Sequence, residues 1–240
     1  YAGPGTGPGP ASLRSLSVEL VFIRHAQPAW VIDGRSRSNP GLTDLGHRQA
    51  AETAERIAAD GRYDELLVSP LPRARETAEP IAAATGLTPQ VIDDIQEITG
   101  EDWEGTPGEE LQALFEAERQ RPMDEWWDGF TGGETFHHFH DRISGAMDRI
   151  LTERGLRRRD EPHLWDLVDD PGRILIVAHG GTDAVALGHL LGLEPTPWEW
   201  ERFRSPHASI SRVADSRIAG ASILALTSFA DVNHLTEVTY

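Results

Sequence analysis

Val18-Glu19-Leu20-Val21-Phe22-Ile23-Arg24-His25 is the stretch on which the fold turns. Its apolar, β-branched run has the pattern of a buried strand, and it stops abruptly on an arginine and a histidine. Far along the chain, Ile174-Leu175-Ile176-Val177-Ala178 repeats the pattern and delivers His179, followed by Gly180 and Gly181. In open α/β sheets the carboxyl ends of the strands border the ligand crevice. Two buried strands that each finish on a histidine, one with Arg24 beside it, therefore describe a pocket for an anion. An imidazole inside that pocket is a candidate nucleophile.

Working outward, helical and strand patterns alternate, as a sheet covered on both faces by helices requires. Thr43 is the expected N-cap of a helix through about Asp60, with Leu45, Ala50, Ala54 and Ile57 on one stripe and Gly61 ending it. Glu65 to Ser69 reads as a short strand. Pro72 suits the first turn of a helix that runs to Thr85, with Gly86 as its stop. Val91-Ile92-Asp93 is a further expected strand, and helices are expected over 109–121, 136–154 and 183–191. Residues 155–172, with Arg157-Arg158-Arg159 and an acidic continuation, read as a loop or short helix. Strand character returns at 208–214 and 222–229. The expected architecture is α/β, a three-layer α/β/α sandwich with a mostly parallel central sheet. No internal repeat or long linker divides the chain, so residues 17–240 are expected to form one domain.

Composition narrows the chemistry. The 240 residues contain no cysteine, which excludes disulfides, thiol catalysis and thiolate metal sites. Residues 1–16 are Gly/Pro-rich and lack both a charged start and an apolar run, so they read as a disordered tail or an expression remnant, not a secretory signal. No stretch approaches the roughly 20 apolar residues that span a bilayer. The net charge of −17 argues against nucleic acid or an anionic membrane as partner. The expected location is the cytoplasm. All 22 basic residues are arginine, the side chain best shaped for bidentate contact with an anion.

Ser69-Pro70-Leu71-Pro72-Arg73-Ala74 sets Arg73 in the first turn of a helix just after a strand end. Free backbone amides and the positive end of the helix dipole favour an anion there. Alone, Arg73 is equally a surface arginine. Beside His25 and His179 it becomes a third cationic group aimed at one crevice.

With these residues in place the chain resembles the histidine phosphatase superfamily, which includes cofactor-dependent phosphoglycerate mutases and broad-specificity phosphatases. The resemblance spans roughly residues 18–235. It rests on Arg24-His25-Ala26-Gln27, on Leu42-Thr43-Asp44-Leu45-Gly46 with Gln49-Ala50, and on the SPLPRARETA run from Ser69. Glu97 leads into Asp102-Trp103-Glu104-Gly105, and Gly132-Gly133-Glu134-Thr135 with Arg142 is similar to a Gly-Gly-Glu-Ser segment. Ala178-His179-Gly180-Gly181-Thr182 matches the second histidine motif, and Asn233-His234-Leu235 resembles a common ending. Each string is weak evidence; seven in order are not.

The resemblance implies a phosphoglycerate mutase-like sandwich and a metal-independent phosphatase that hydrolyses small phosphomonoesters through phosphohistidine, with no cofactor. His25 would be the nucleophile. Arg24, Arg73, His179 and Gly180 would hold the phosphate and stabilise charge in transfer. Glu97 would protonate the leaving alkoxide and then activate water. Ala26 replaces the family's usual glycine, while Pro28 and Val31 stand where a hydroxyl residue and an asparagine often add phosphate contacts. Glu101 takes a place where glycine is usual, which makes Glu101 and Glu104 rivals of Glu97 for the acid. One alternative is a mutase passing phosphate between hydroxyls, although Ile98-Thr99-Gly100 after Glu97 departs from the mutase pattern. Another is a protein that binds a phosphorylated ligand without turnover.

Other features are weighed against this reading. His137-His138-Phe139-His140 looks like a metal cluster, but adjacent histidines on a helix point to different sides. A solvated helix is the expected account, with no metal. Trp103, Trp126 and Trp127 either line a substrate lid between about Asp102 and Phe139 or pack a long surface segment. His207, just before a strand, is a candidate for the pocket mouth.

Overall fold

The computed structural model describes residues 16–160 and 163–240. Apart from Leu16, the expected tail lies outside the described residues. The elements run β1 (Val18–Arg24), β2 (Val31–Ile32), β3 (Arg35–Ser36), α1 (Asp44–Ala59), β4 (Glu65–Val68), α2 (Pro72–Thr85), β5 (Pro89–Val91), α3 (Gly108–Arg119) and α4 (Phe136–Glu153). After these come β6 (Leu156–Arg158), β7 (Trp165–Leu167), β8 (Gly172–Ala178), α5 (Gly180–Leu190), β9 (Ile210–Ile218) and β10 (Ala221–Asp231). Short 3-10 turns cover Asp93–Ile95, Met123–Asp128 and Glu199–Glu201.

Eight strands form one mixed sheet in the order β5-β4-β8-β1-β9-β10-β7-β6. β5, β4, β8 and β1 are parallel neighbours; β9 and β7 run against the rest. The alternation along the central strands explains the layers. Leu20, Phe22, Ile174 and Ile176 point to one face and pack with Ile143, Met147, Ile150, Val185 and Leu187 from α4 and α5. Val21, Ile23, Leu175 and Val177 point to the other and pack with Ala54 and Ile57 of α1 and Ala74, Ala78 and Ile81 of α2. Strands buried on both faces read as continuous apolar runs, which is why β1 and β8 stood out. No helix among the described residues is long and apolar enough to cross a membrane.

Beyond small shifts at the ends of α3, β9 and β10, three differences from expectation have a physical reason. Residues 155–172 hold two short strands, not a loop or helix: Leu156 pairs with Leu167, Arg157 with Asp166 and Arg158 with Trp165. Alternating Trp165 and Leu167 are buried at the sheet edge, while Arg157 and Arg158 stay exposed and guard that edge. β5 sits two residues earlier than expected, because Pro89 is tolerated on an edge strand that needs no amide from it. α5 starts at Gly180, three residues earlier than expected, for a reason that lies in the site.

Candidate active site

β4, β8 and β1 are adjacent and parallel, so their carboxyl ends open on one crevice. β1 ends with Arg24 and passes to His25, β8 passes to His179, and β4 passes to Ser69. Backbone bonds fix all three exits: His25 N–H donates to Ala178 O at 2.9 Å and Ser69 N–H to Val177 O at 3.0 Å. The loop before β9 closes the far side, where Ala208 N–H lies 3.1 Å from Arg24 O and 3.2 Å from His25 O.

His25 and His179 are almost fully buried, with ring centroids 5.1 Å apart. His25 Nδ1 lies 2.8 Å from Ala26 O. A carbonyl only accepts, so Nδ1 carries the proton and Nε2 keeps its lone pair. Burial pushes His25 well below the usual histidine range, and nearby His179, Arg73, Arg24 and His207 push it further. His179 is lowered well below that range too, by burial first and then by Arg73 and Arg24. Its Nε2 shares a 2.7 Å hydrogen bond with Ser69 Oγ. The nucleophile candidate is thus a neutral imidazole at neutral pH.

Arg73 is buried, and burial lowers it to about 10. Its Nη1 donates to Asn39 Oδ1 at 3.3 Å, and its guanidinium lies 4.8 Å from the centre of the Trp30 ring. Arg24 donates through Nη1 to Ser205 O and through Nη2 to His207 Nε2 at 3.2 Å. The Nε atoms of both arginines and Nδ1 of His179 are buried without a partner.

Glu97 enters beside the helix start. Gly181 N–H donates to its Oε2 at 2.9 Å and Ile98 N–H to its Oε1 at 3.0 Å. A Cβ on Gly181 would fall 2.4 Å from Glu97 Oε1, so glycine is what lets the first turn of α5 close over the carboxylate. Helix propensity disfavours a glycine pair at the start of α5; this close approach overrides it. Gly180 follows the same logic against Arg24, whose Nε lies 3.3 Å from the Cβ position. Glu97 lies close enough to act on Arg24, Arg73 and Asp183, which places it within the cluster.

The rivals of Glu97 lie elsewhere. Glu104 takes Arg37 Nη1 at 2.6 Å and Ser38 N–H at 2.9 Å, tying the lid segment to β3 and the residues after it. Glu101 is exposed against Gly132. Trp103 packs edge-on to Phe115 and Phe130. Phe130 in turn meets Phe136 and Trp198, so these aromatics form the inside of the lid segment. Trp126 donates through Nε1 to Arg121 O. The histidine run of α4 is packed more than expected: Trp127 stacks on His137 at 4.3 Å, and His140 Nε2 donates to Thr196 O at 3.0 Å. Among the described residues, no group of three or more His, Asp or Glu is placed to hold a metal ion.

Several site residues escaped the sequence reading. Ser69 stood in a quoted motif but gave no hint of its bond to His179. Asn39 reaches Arg73 from the loop after β3, although Pro28 and Val31 bring no such group. Asp183, one turn into α5, is a buried carboxyl whose titration is pushed well up, by burial first and then by Glu97. His207, already a candidate from its place before a strand, lies 5.5 Å from His25, ring to ring, and its tie to Arg24 is what the sequence did not show. The glycine of Leu42-Thr43-Asp44-Leu45-Gly46 also gains a reason. A Cβ there would lie 2.2 Å from Gln27 O, so Gly46 lets α1 press against the loop that leaves His25.

A mixed sheet whose central parallel strands direct two histidines, two arginines and a glutamate to one crevice defines an α/β protein with a cationic pocket. The chain belongs to the histidine phosphatase superfamily (branch 1), whose family model matches residues 20–217. A bifunctional protein of Mycobacterium tuberculosis is 33% identical over 61% of this chain, and the chain spans 41% of that relative's length. Phosphoserine phosphatase 1 of Hydrogenobacter thermophilus is 30% identical over 55% of this chain and 64% of its own. The native structure of a mycobacterial glucosyl-3-phosphoglycerate phosphatase superposes with a TM-score of 0.66 at 22% identity, covering 90% of this chain and 100% of that one. This last likeness is one of fold.

Proposed function

We propose that the protein is a cytoplasmic, metal-independent phosphomonoesterase in which residues 17–240 act as one domain and His25 relays the phosphoryl group from substrate to water. The observation that carries the reading is the trio of partnerless buried donors around a neutral His25: Arg24 Nε, Arg73 Nε and His179 Nδ1. Buried polar atoms without partners are costly, and three of the six such side-chain atoms among the described residues lie here. A dianionic phosphoryl group satisfies all three. With Ser69 donating to His179 Nε2, Nδ1 of that ring becomes the third donor. Relatives named as phosphatases support the same reading.

In the first step His25 Nε2 attacks phosphorus, the P–N bond forms and the P–O ester bond breaks. Glu97 passes its proton to the departing alkoxide, which leaves as an alcohol. Water then attacks phosphorus from the vacated side, Glu97 takes its proton, and the P–N electron pair returns to Nε2. Inorganic phosphate leaves and the starting protonation state is restored. The clamp stabilises charge on the equatorial oxygens throughout, which is the main demand of phosphoryl transfer. A groove of about 610 Å³, bordered by Ile32, Arg37, Asn39, His47 and Glu104, lies beside the residue that holds Arg73.

The test is hydrolysis of para-nitrophenyl phosphate, followed by a panel of small phosphate esters. The rate should be indifferent to EDTA and fall competitively with orthovanadate. Arg73→Ala should lower kcat/KM by about 2–4 kcal/mol of transition-state stabilisation, as for loss of a preorganised donor. Loss of the rate on chelation, restored by a divalent ion, would overturn the metal-independent account.

A further inference from the structure

His207 makes two side-chain hydrogen bonds, and together they admit one tautomer. Arg24 Nη2 can only donate, so His207 Nε2, at 3.2 Å, accepts and carries no proton. The proton therefore sits on Nδ1, which donates to Thr239 Oγ1 at 3.0 Å. Burial and the charge of Arg24 lower His207 to about 3, in keeping with a neutral ring. Thr239 Oγ1 also receives Gln49 Nε2 at 3.2 Å, and Gln49 Oε1 receives Gln27 N–H at 2.9 Å. One hydroxyl thus ties down both flanks of His25: Arg24 before it, through His207, and Gln27 after it, through Gln49. Backbone bonding fixes the same contact, with His207 N–H donating to Thr239 O at 2.8 Å.

The geometry matters because a guanidinium is a rigid planar fork. Ser205 O holds Nη1 of Arg24 and His207 Nε2 holds Nη2, so the plane and the direction of the remaining Nε–H are set. That Nε is the partnerless donor beside Gly180. We propose that His207 is a positioning residue for Arg24, locked as the Nδ1–H tautomer by Thr239, and that this lock aims the Arg24 Nε–H at the phosphoryl group. The proposal rests on the phosphatase reading above and adds to it a requirement for Thr239, near the end of this chain, which touches no reacting atom.

Three variants test it, with orthovanadate inhibition and steady-state hydrolysis of para-nitrophenyl phosphate as readouts. His207→Leu removes acceptor and donor; its vanadate Ki and KM should rise about tenfold, in the range typical for loss of a supporting hydrogen bond. Thr239→Val keeps the shape but removes the acceptor, leaving the imidazole free to place a proton on Nε2 against Arg24. It should shift the same two quantities in the same direction, with the circular dichroism spectrum of the folded protein retained. His207→Gln offers Oε1 where Nε2 stood and should restore most of the vanadate affinity. Thr239→Val lies away from the core and keeps the test open should His207→Leu fail to fold. Wild-type vanadate affinity in both His207→Leu and Thr239→Val would overturn the proposal, as would a Gln variant no better than Leu. A wild-type protein that neither hydrolyses aryl phosphate nor binds vanadate would instead refute the phosphatase reading.

Discussion

On the proposed mechanism, His25→Ala should lower turnover by at least about 10⁴-fold while leaving the fold standing, because the variant lacks the atom that would form the P–N bond. The side chain makes one hydrogen bond, to the carbonyl of the next residue, so its removal opens a small cavity without breaking a long-range tie. Circular dichroism should be unchanged. In the wild type, rapid quenching should trap a phosphoryl group on Nε2 of His25, labile in acid and stable in base. The acid limb of kcat/KM should lie below pH 6.5, since a ring whose pKa is depressed stays neutral until the pH falls through that lowered value. Activity of the alanine variant within tenfold of wild type would remove His25 from the mechanism.

The second large effect separates leaving groups. Glu97→Gln keeps the shape but can neither give nor recover a proton. Alkyl phosphates, whose alkoxides leave poorly without protonation, should slow by roughly 10²–10⁴-fold. Hydrolysis of para-nitrophenyl phosphate should slow far less in the first step, and phosphoenzyme should accumulate because the same residue serves the second. Equal slowing of the phosphorylation step on both substrates, measured before the first turnover is complete, would exclude Glu97 as the acid for departure. Glu104 is then a poor replacement, since Arg37 and Ser38 already hold its carboxylate.

The parts legible from residues alone were those whose cause is local. β1 and β8 announced themselves because burial on both faces demands unbroken apolar runs. Thr43 caps α1 through its Oγ, and Pro72 and Gly86 bracket α2. The strand ends then placed His25, Arg24 and His179 in one crevice. Illegible were the features that depend on distant partners. β6 and β7 hold three residues each and gain their order from pairing across the sheet edge. The early start of α5 answers to Glu97, 84 positions away. The Arg24 clamp joins residues separated by 181 and 183 positions, and its Thr239 anchor adds another 32. No spacing rule reaches so far.

The neutral imidazoles have a consequence for the life of the protein in acid. His25, His179 and His207 all hold pKa values below the ordinary 6.5 in the folded state. Below that pH the unfolded chain takes up protons that the native pocket refuses, so stability rises with pH and falls as pH drops from about 6.5. Each such group contributes up to about 1.4 kcal/mol per pH unit. Asp183 works the other way: its raised pKa keeps a proton that the unfolded chain has shed, which offsets part of the histidines' effect. Melting curves between pH 7.5 and 5 should therefore show a steep loss, and inorganic phosphate should relieve it by supplying the counter-charge the rings lack. A melting temperature that stays level to pH 5 would contradict the neutral assignment. If the pocket works as proposed, phosphate affinity and acid sensitivity are two faces of one site, and acidification would silence such a protein by unfolding it as much as by protonating His25.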